Sequence, residues 1–99
     1  MPTKVIAFVT VEPGREDAFM AAARTCAAAS RAEAGVLYYD VWREVGGAGR
    51  FVFSELYSDD AAVDSHMASA HFAAFGAAIA GLVAGQPDII RLHGADVAG

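Results

Sequence analysis

The sequence has little cysteine, little lysine and no asparagine, and these shortages narrow what the chain can be. Its single cysteine, Cys26, excludes an intrachain disulfide and any metal site built from several cysteines. One lysine, Lys4, and six scattered arginines stand against 12 acidic residues, so the formal net charge is −5. Nucleic acids and anionic membrane surfaces attract clustered basic residues. Neither is therefore expected as a partner.

Long apolar runs are also missing. No stretch approaches the roughly 18 uninterrupted apolar residues that indicate a membrane-spanning helix. The beginning of the sequence lacks the sustained apolar run and the small-residue cleavage site of a signal peptide. We therefore expect a cytoplasmic protein that makes no contact with a membrane.

Apolar residues, in contrast, are abundant for so short a chain. They make up 56% of the 99 residues. A single domain of this length buries only about 60–65% of the surface of its extended chain. We therefore expect some of the apolar surface to be shared with a second subunit.

The apolar periodicities predict secondary structure in the order β-α-β-β-α-β. Strands are predicted at residues 3–11, 36–43, 51–57 and 88–93. Helices are predicted at residues 15–31 and 60–84, the second broken near Ala68 and Ser69, and residues 45–49 form a glycine-rich hairpin loop. Gly35 is predicted to follow the first helix as its C′ residue.

This order predicts one domain over residues 1–99, with a core at residues 3–93 and a C-terminal tail at residues 94–99. Right-handed crossovers give an α+β, ferredoxin-like sandwich, in which both helices cover one face of a four-stranded antiparallel sheet. The other face would remain apolar. Two such sheets packed face to face would bury it, so we expect a homodimer.

Side chains that can transfer protons are concentrated between residues 51 and 72. Glu55 interrupts an apolar strand face, Tyr57 ends that strand, and His66 and His71 follow on the next helix. A buried carboxyl must be paired, protonated or directed at a polar cavity. Glu55 therefore either pairs with an arginine or a histidine or serves a cavity. Each histidine either acts on a substrate or hydrogen-bonds a strand end.

No metal site is expected from the two histidines. A spacing of five residues on a continuous helix puts His66 and His71 about 140° apart, whereas helical metal pairs use i, i+4. Only a bend at Ser69 would bring them together. Glu33, close to Arg31, is expected to anchor a surface or an interface.

Several motifs, in this order and spacing, resemble the antibiotic biosynthesis monooxygenase family of dimeric α/β barrels, near its small quinol-monooxygenase-like members. The resemblance covers residues 5–92, and its motifs are Val11-Glu12-Pro13-Gly14 with Phe19, residues 30–40, Phe53-Ser54-Glu55-Leu56-Tyr57, and Ala62 with His66, Ser69, His71 and Phe72. The motifs are more specific for the family than for one activity. Besides cofactor-independent oxygenases of phenols and quinols, the family includes haem-degrading enzymes, an isomerase-like enzyme and members of unassigned role.

The lack of asparagine bears on the activity that the resemblance implies. Haem-degrading members and some polyketide oxygenases of the family use an active-site asparagine. The haem-degrading members also bind iron through a histidine that follows the position of Phe72, where Phe75, Gly76 and Ala77 stand here. We therefore expect no haem degradation. Because the sequence has no GxGxxG motif, no cysteine cluster and no i, i+4 histidine pair, we also expect no cofactor and no bound metal.

The leading hypothesis is a cofactor-independent monooxygenase that oxidises a quinol or polycyclic phenol with O2. Such an enzyme needs a base, a hydrogen bond to the substrate anion and a dry pocket. We expect that pocket within each subunit, between the sheet and the second helix. The candidate catalytic residues are His66, His71 and Glu55, and the candidate residues for binding a small aromatic substrate are Tyr57, Tyr39, Phe72 and Trp42.

Other interpretations stay open. An isomerase or another proton-transfer enzyme would use the same histidines and glutamate without oxygen. A non-catalytic, ligand-binding dimeric barrel would use none of them chemically. Trp42 has a second interpretation as packing at the dimer interface.

Overall fold

The computed structural model describes residues 1–98, so Gly99, the end of the predicted tail, lies outside the described residues. The elements are β1 (Thr3–Thr10), α1 (Glu16–Arg31), β2 (Val36–Arg43), β3 (Arg50–Tyr57), α2 (Asp60–Met67), α3 (Ala70–Ile79) and β4 (Asp88–His93). The predicted strands agree with these bounds to within one residue at each end.

The strands form one sheet in the order β2-β3-β1-β4, and all three neighbouring pairs are antiparallel. The two central strands are the first and third along the chain, as two βαβ halves with right-handed crossovers require. The predicted α+β, ferredoxin-like fold is therefore confirmed.

The core lies between α1 and the helix-facing side of the sheet. Every second side chain of β1 and β3 is buried there, because successive strand side chains point to opposite faces. Phe19 of α1 is fully buried, with ring centroids 4.9 Å from Phe51 and 6.2 Å from Phe53. Alanines at positions 23 and 27 are buried too, and their small side chains let the helix lie close to the strands. Cys26 is buried beside them.

The predicted break between the two parts of the second helix is confirmed, and serine and aspartate caps explain it. Asp59 caps α2 by accepting a hydrogen bond from the backbone N–H of Ala62 at 2.9 Å. Ser69 caps α3 by accepting one from the backbone N–H of Phe72, and its hydroxyl donates to the carbonyl of His66 at 2.6 Å. The chain therefore turns between His66 and His71.

Helix α3 ends at Ile79, five residues before the predicted end. The following segment pairs with the end of β1 instead: Val83 forms an antiparallel bridge with Val11. Glu12 donates a backbone hydrogen bond to Leu82 at 2.8 Å, and Ala84 donates one to Thr10 at 2.8 Å. Backbone pairing with a strand thus replaces the last helical turn.

Gly35 is not the C′ residue of α1, so that prediction is wrong. The helix ends at Arg31 with Ala32 as its cap, and Gly35 is not among the glycines with a positive φ. Close packing requires the glycine instead, because a Cβ added there would lie 2.5 Å from the Cβ of Ala62. The turn before β2 consequently lies directly against α2.

The face of the sheet away from the helices is uncovered and largely apolar. Its exposed residues include Trp42, which is 62% exposed, Ile90 and Leu92. A register shift between Val36 and Tyr38 leaves Leu37 exposed as well. No helix within residues 1–98 is long and apolar enough to cross a membrane.

Candidate active site

A cavity of about 100 Å³ lies between the helix-facing side of the sheet and the α2–α3 pair, where the sequence predicts it. Its walls are mainly apolar and aromatic, and include Val9, Phe53, Val63, Phe72, Phe75 and Ile79. Four residues with polar groups also line it: Tyr39, Glu55, Tyr57 and His66. A site for a small molecule is usually a mainly apolar cavity that contains a small number of polar groups.

Glu55 places a carboxyl group in this apolar wall. It is 5% exposed and accepts a hydrogen bond from the Tyr57 hydroxyl at 2.5 Å. Burial raises the pKa of Glu55 to about 7, because the charged form loses its hydration, although the Tyr57 hydrogen bond and the charge of Lys4 oppose the rise. Among residues 1–98 it has no arginine or histidine partner. Of the two predicted alternatives, the structure therefore favours the cavity role.

Two tyrosines surround this carboxyl group. Tyr57 is fully buried on the same strand face, and Tyr39 lies opposite Glu55 on β2. Burial raises the pKa of both phenols, and the nearby charge of Glu55 raises it further. The Tyr57 hydroxyl donates to Glu55, whereas the Tyr39 hydroxyl lies 3.7 Å from Sγ of Cys26.

His66 borders the cavity and is held by a carboxylate from another element. It is 3% exposed, and its Nδ1 lies 2.7 Å from Oε2 of Glu33. Its ring centroid is 5.5 Å from that of Tyr57 and 5.3 Å from that of Phe72. When Nδ1–H donates to Glu33, Nε2 keeps a lone pair and can accept a hydrogen bond.

His71 contacts the same carboxylate from the outside. Its Nε2 lies 2.7 Å from Oε2 of Glu33, and its side chain is 25% exposed. It does not line the cavity beside Glu55, but borders a second cavity of about 250 Å³ between α1 and α3. The expectation that His71 acts directly on a substrate in the predicted pocket is not met by this geometry.

Glu33 is the site residue that sequence reasoning missed. It was expected to anchor a surface near Arg31, but Arg31 donates to the backbone carbonyl of Tyr39 at 3.0 Å. Glu33 stands in the turn between α1 and β2, which the fold brings against α2. No spacing within the sequence encodes this meeting with His66 and His71, because 33 residues or more separate the partners.

Of the two remaining candidates for substrate binding, one lines the cavity and the other does not. Phe72 lines the cavity, as expected. Trp42 pairs with Val52 on the face away from the helices, so it cannot enclose a ring in this cavity. The expectation that Trp42 binds substrate there is wrong, because strand alternation directs it to the opposite face.

Comparison with known proteins agrees with this architecture. Residues 2–78 match the family model described as Antibiotic biosynthesis monooxygenase. The chain is 34% identical over 85 residues to the Bacillus subtilis (strain 168) protein named "Putative monooxygenase YcnE", which covers 86% of this chain and 90% of that protein.

Solved structures with the same fold include Rv0793 from Mycobacterium tuberculosis, with 28% identity, a TM-score of 0.92 and 100% of both chains covered. PA3566 from Pseudomonas aeruginosa is 33% identical, with a TM-score of 0.86 and coverage of 96% of this chain and 95% of that one. The similarity thus extends over nearly the whole chain.

Proposed function

Because the chain belongs to the antibiotic biosynthesis monooxygenase family, we propose that it oxidises a quinol with O2 in the cavity between the sheet and α2–α3. The observation that carries this proposal is the Glu55 carboxyl group, buried in an apolar wall with its pKa raised to about 7. A base with a pKa near neutrality is what proton removal from a phenolic hydroxyl requires.

Glu55 is the proposed general base. In its ionised form it takes the proton of one phenolic hydroxyl, while the Tyr57 hydroxyl continues to donate to its Oε1. The protonated carboxyl group then donates a hydrogen bond to the new phenolate oxygen. Apolar walls keep water away from this anion, which preserves its ability to donate an electron.

His66 is the proposed binding group for the second hydroxyl of the quinol. Glu33 holds its Nδ1–H, so Nε2 is available as an acceptor at the cavity wall. In this role Glu33 is a positioning residue that fixes the tautomer and the orientation of the imidazole. Phe72 and Phe53 supply aromatic surface for the substrate ring.

The oxidation balances without another reductant. The quinol anion passes one electron to O2, and the resulting substrate radical and superoxide combine into a C–O bond and take up the proton held by Glu55. The hydroperoxide then loses water: the O–O bond breaks and the proton on the same carbon leaves. Hydroquinone and O2 thus give hydroxyquinone and water, and each product receives one of the two oxygen atoms of O2.

The size of the cavity favours a single ring. Its volume of about 100 Å³ is below the roughly 150 Å³ of an engineered apolar cavity that holds benzene. Even a single ring therefore requires the walls of α2 and α3 to move apart, and a polycyclic phenol requires a larger movement, so we propose a monocyclic quinol ahead of the polycyclic phenol that the sequence also allowed.

Oxygen uptake with a panel of monocyclic and polycyclic quinols tests the proposal. We expect uptake above autoxidation for monocyclic members, with one atom of labelled O2 in the product. Glu55→Gln should lower the rate by about 10²–10⁴-fold, the usual loss on removing a general base. The exposed Glu12→Gln serves as a matched control.

Three results would contradict this proposal. Full turnover by Glu55→Gln would show that Glu55 is not the general base. A retained ligand without any oxygen uptake would favour a binding module, and turnover without oxygen would favour a proton-transfer enzyme.

A further inference from the structure

We propose that Glu33, His66 and His71 bind a divalent transition-metal ion of the zinc class, at a site beside the cavity rather than inside it. Each residue offers one ligand atom, and the three atoms lie within 4.8 Å of one another. Two imidazoles and one carboxylate are a donor set used by open, four-coordinate zinc sites, with water in the fourth position.

A tetrahedral site requires the three ligand atoms to rearrange around the ion. Nδ1 of His66 and Nε2 of His71 both lie 2.7 Å from Oε2 of Glu33. In a tetrahedral site with bonds of about 2.0–2.1 Å, neighbouring ligand atoms are about 3.3 Å apart. The two imidazole nitrogens, which lie within 4.8 Å of each other, must therefore come to that spacing, and both contacts of Glu33 must lengthen by about 0.6 Å. Glu33 belongs to a turn, and rotation of its side chain can supply this shift.

The spacing of His66 and His71 argued against a metal site only for a continuous helix, and the helix is broken between them. On a continuous helix His66 and His71 would diverge, but α2 ends at Met67 and α3 begins at Ala70. The Ser69 hydroxyl holds the break by donating to the carbonyl of His66 and accepting from Phe72. This turn directs both imidazoles at the same carboxylate oxygen.

The site also has an opening and a place for water. The side chain of His66 is 4% exposed, but those of Glu33 and His71 are 20% and 25% exposed. His71 additionally borders the second cavity between α1 and α3. An ion can therefore enter from the outer side, where solvent supplies the fourth ligand.

Metal binding would change what His66 presents to the cavity. An ion on Nδ1 requires the lone pair of that nitrogen, so the ring proton moves to Nε2. The nitrogen that accepts a hydrogen bond in the metal-free protein then becomes a donor. The effect of this change on turnover rests on the proposed function, but the binding of the ion does not.

Calorimetric titration of the metal-stripped full chain with Zn²⁺ tests the site, and Co²⁺ in the same site should give visible absorption. We expect one ion per chain. Replacing a ligand, in His71→Ala or Glu33→Gln, should weaken binding by more than the 10–100-fold that loss of an outer partner usually costs. His93→Ala is the matched control, because His93 is exposed and pairs with Asp60.

Each outcome decides for or against the metal site, provided that circular dichroism shows each variant to be folded. Tight binding by the wild type and by His93→Ala, together with weak binding by both ligand variants, supports the site. Absence of Zn²⁺ binding by the wild type overturns it. Equal affinity of a ligand variant and the wild type, or a comparable loss in His93→Ala, also overturns it. None of these readouts depends on oxygen uptake, so failure here and failure of the proposed function are distinguishable.

Discussion

At the scale of the residue, the proposed chemistry and the stability of the fold make opposite demands on Glu55. The ionised carboxylate is the form that removes a proton, but burial disfavours that form in the folded protein. A rise in pKa from its ordinary value of 4.5 to about 7 corresponds to roughly 3 kcal/mol between the two protonation states. The site therefore gains a base near neutral pH at a cost in folding free energy.

This opposition gives a pH-dependent prediction. Because the pKa of Glu55 is raised in the folded state, its contribution to stability is fully present below about pH 4.5 and is lost as pH rises through about 7. Glu55→Gln cannot ionise, so its free energy of unfolding should fall less than that of the wild type between these pH values. Urea denaturation across this pH range measures the difference, which approaches 3 kcal/mol at most.

The activity should change with pH in the direction opposite to the stability. The wild-type kcat/KM should rise with pH through about 7, as Glu55 becomes ionised. Glu12→Gln, at an exposed position, should retain both pH dependences. Identical stability profiles for Glu55→Gln and the wild type would contradict the raised pKa.

At the scale of the element, the sequence predicts the strands and the helix break well because local rules determine them. Runs rich in β-branched and aromatic residues identify β1 and β3, and the capping serine and aspartate mark the breaks around α2. Contacts between distant segments escape such rules. The contact of Gly35 with Ala62 and the meeting of Glu33 with two histidines arise only once the sheet and helices have assembled.

Gly35→Ala tests the close packing between the turn before β2 and α2. The new Cβ would lie 2.5 Å from Ala62 Cβ and 3.4 Å from Ser58 Oγ, so the turn or the helix must move. Overpacking of this kind costs about 1–3 kcal/mol, and thermal or urea unfolding should show a loss of that size.

Gly76→Ala is the matched control for this prediction. Gly76 lies within α3, and a Cβ there meets nothing within 4 Å. Alanine is favoured over glycine inside a helix by roughly 0.5–1 kcal/mol, so this variant should be stabilised. Equal stability changes in the two variants would mean that the contact with Ala62 is easily relieved.

At the scale of the whole molecule, the uncovered face of the sheet is the feature that a lone subunit leaves without a partner. Apolar side chains from all four strands lie on it, namely Ile6, Phe8, Trp42, Val52, Leu56, Ile90 and Leu92. We propose that a second copy of the chain covers this face and forms a homodimer. An apolar surface of this extent is unusual on a soluble monomer.

The variant that tests the dimer must be chosen on this face. Val9 and Val41 belong to the helix-facing side with the core, so a charge there would disrupt the subunit itself. Ile6 lies near the centre of the uncovered face, between Ser54 and Ile90 on the neighbouring strands. Ile6→Asp would bury an unpaired charge in the proposed interface, which costs several kcal/mol.

Sedimentation equilibrium at micromolar concentration should therefore show twice the 10.3 kDa chain mass for the wild type and a shift toward the monomer for Ile6→Asp. Ala28→Asp adds the same charge on the exposed side of α1 and should leave the dimer intact. A wild type that sediments only as a monomer would contradict the assembly. If Ile6→Asp is monomeric but keeps its helical and sheet signal in circular dichroism, the subunit folds alone and the uncovered face serves association rather than folding.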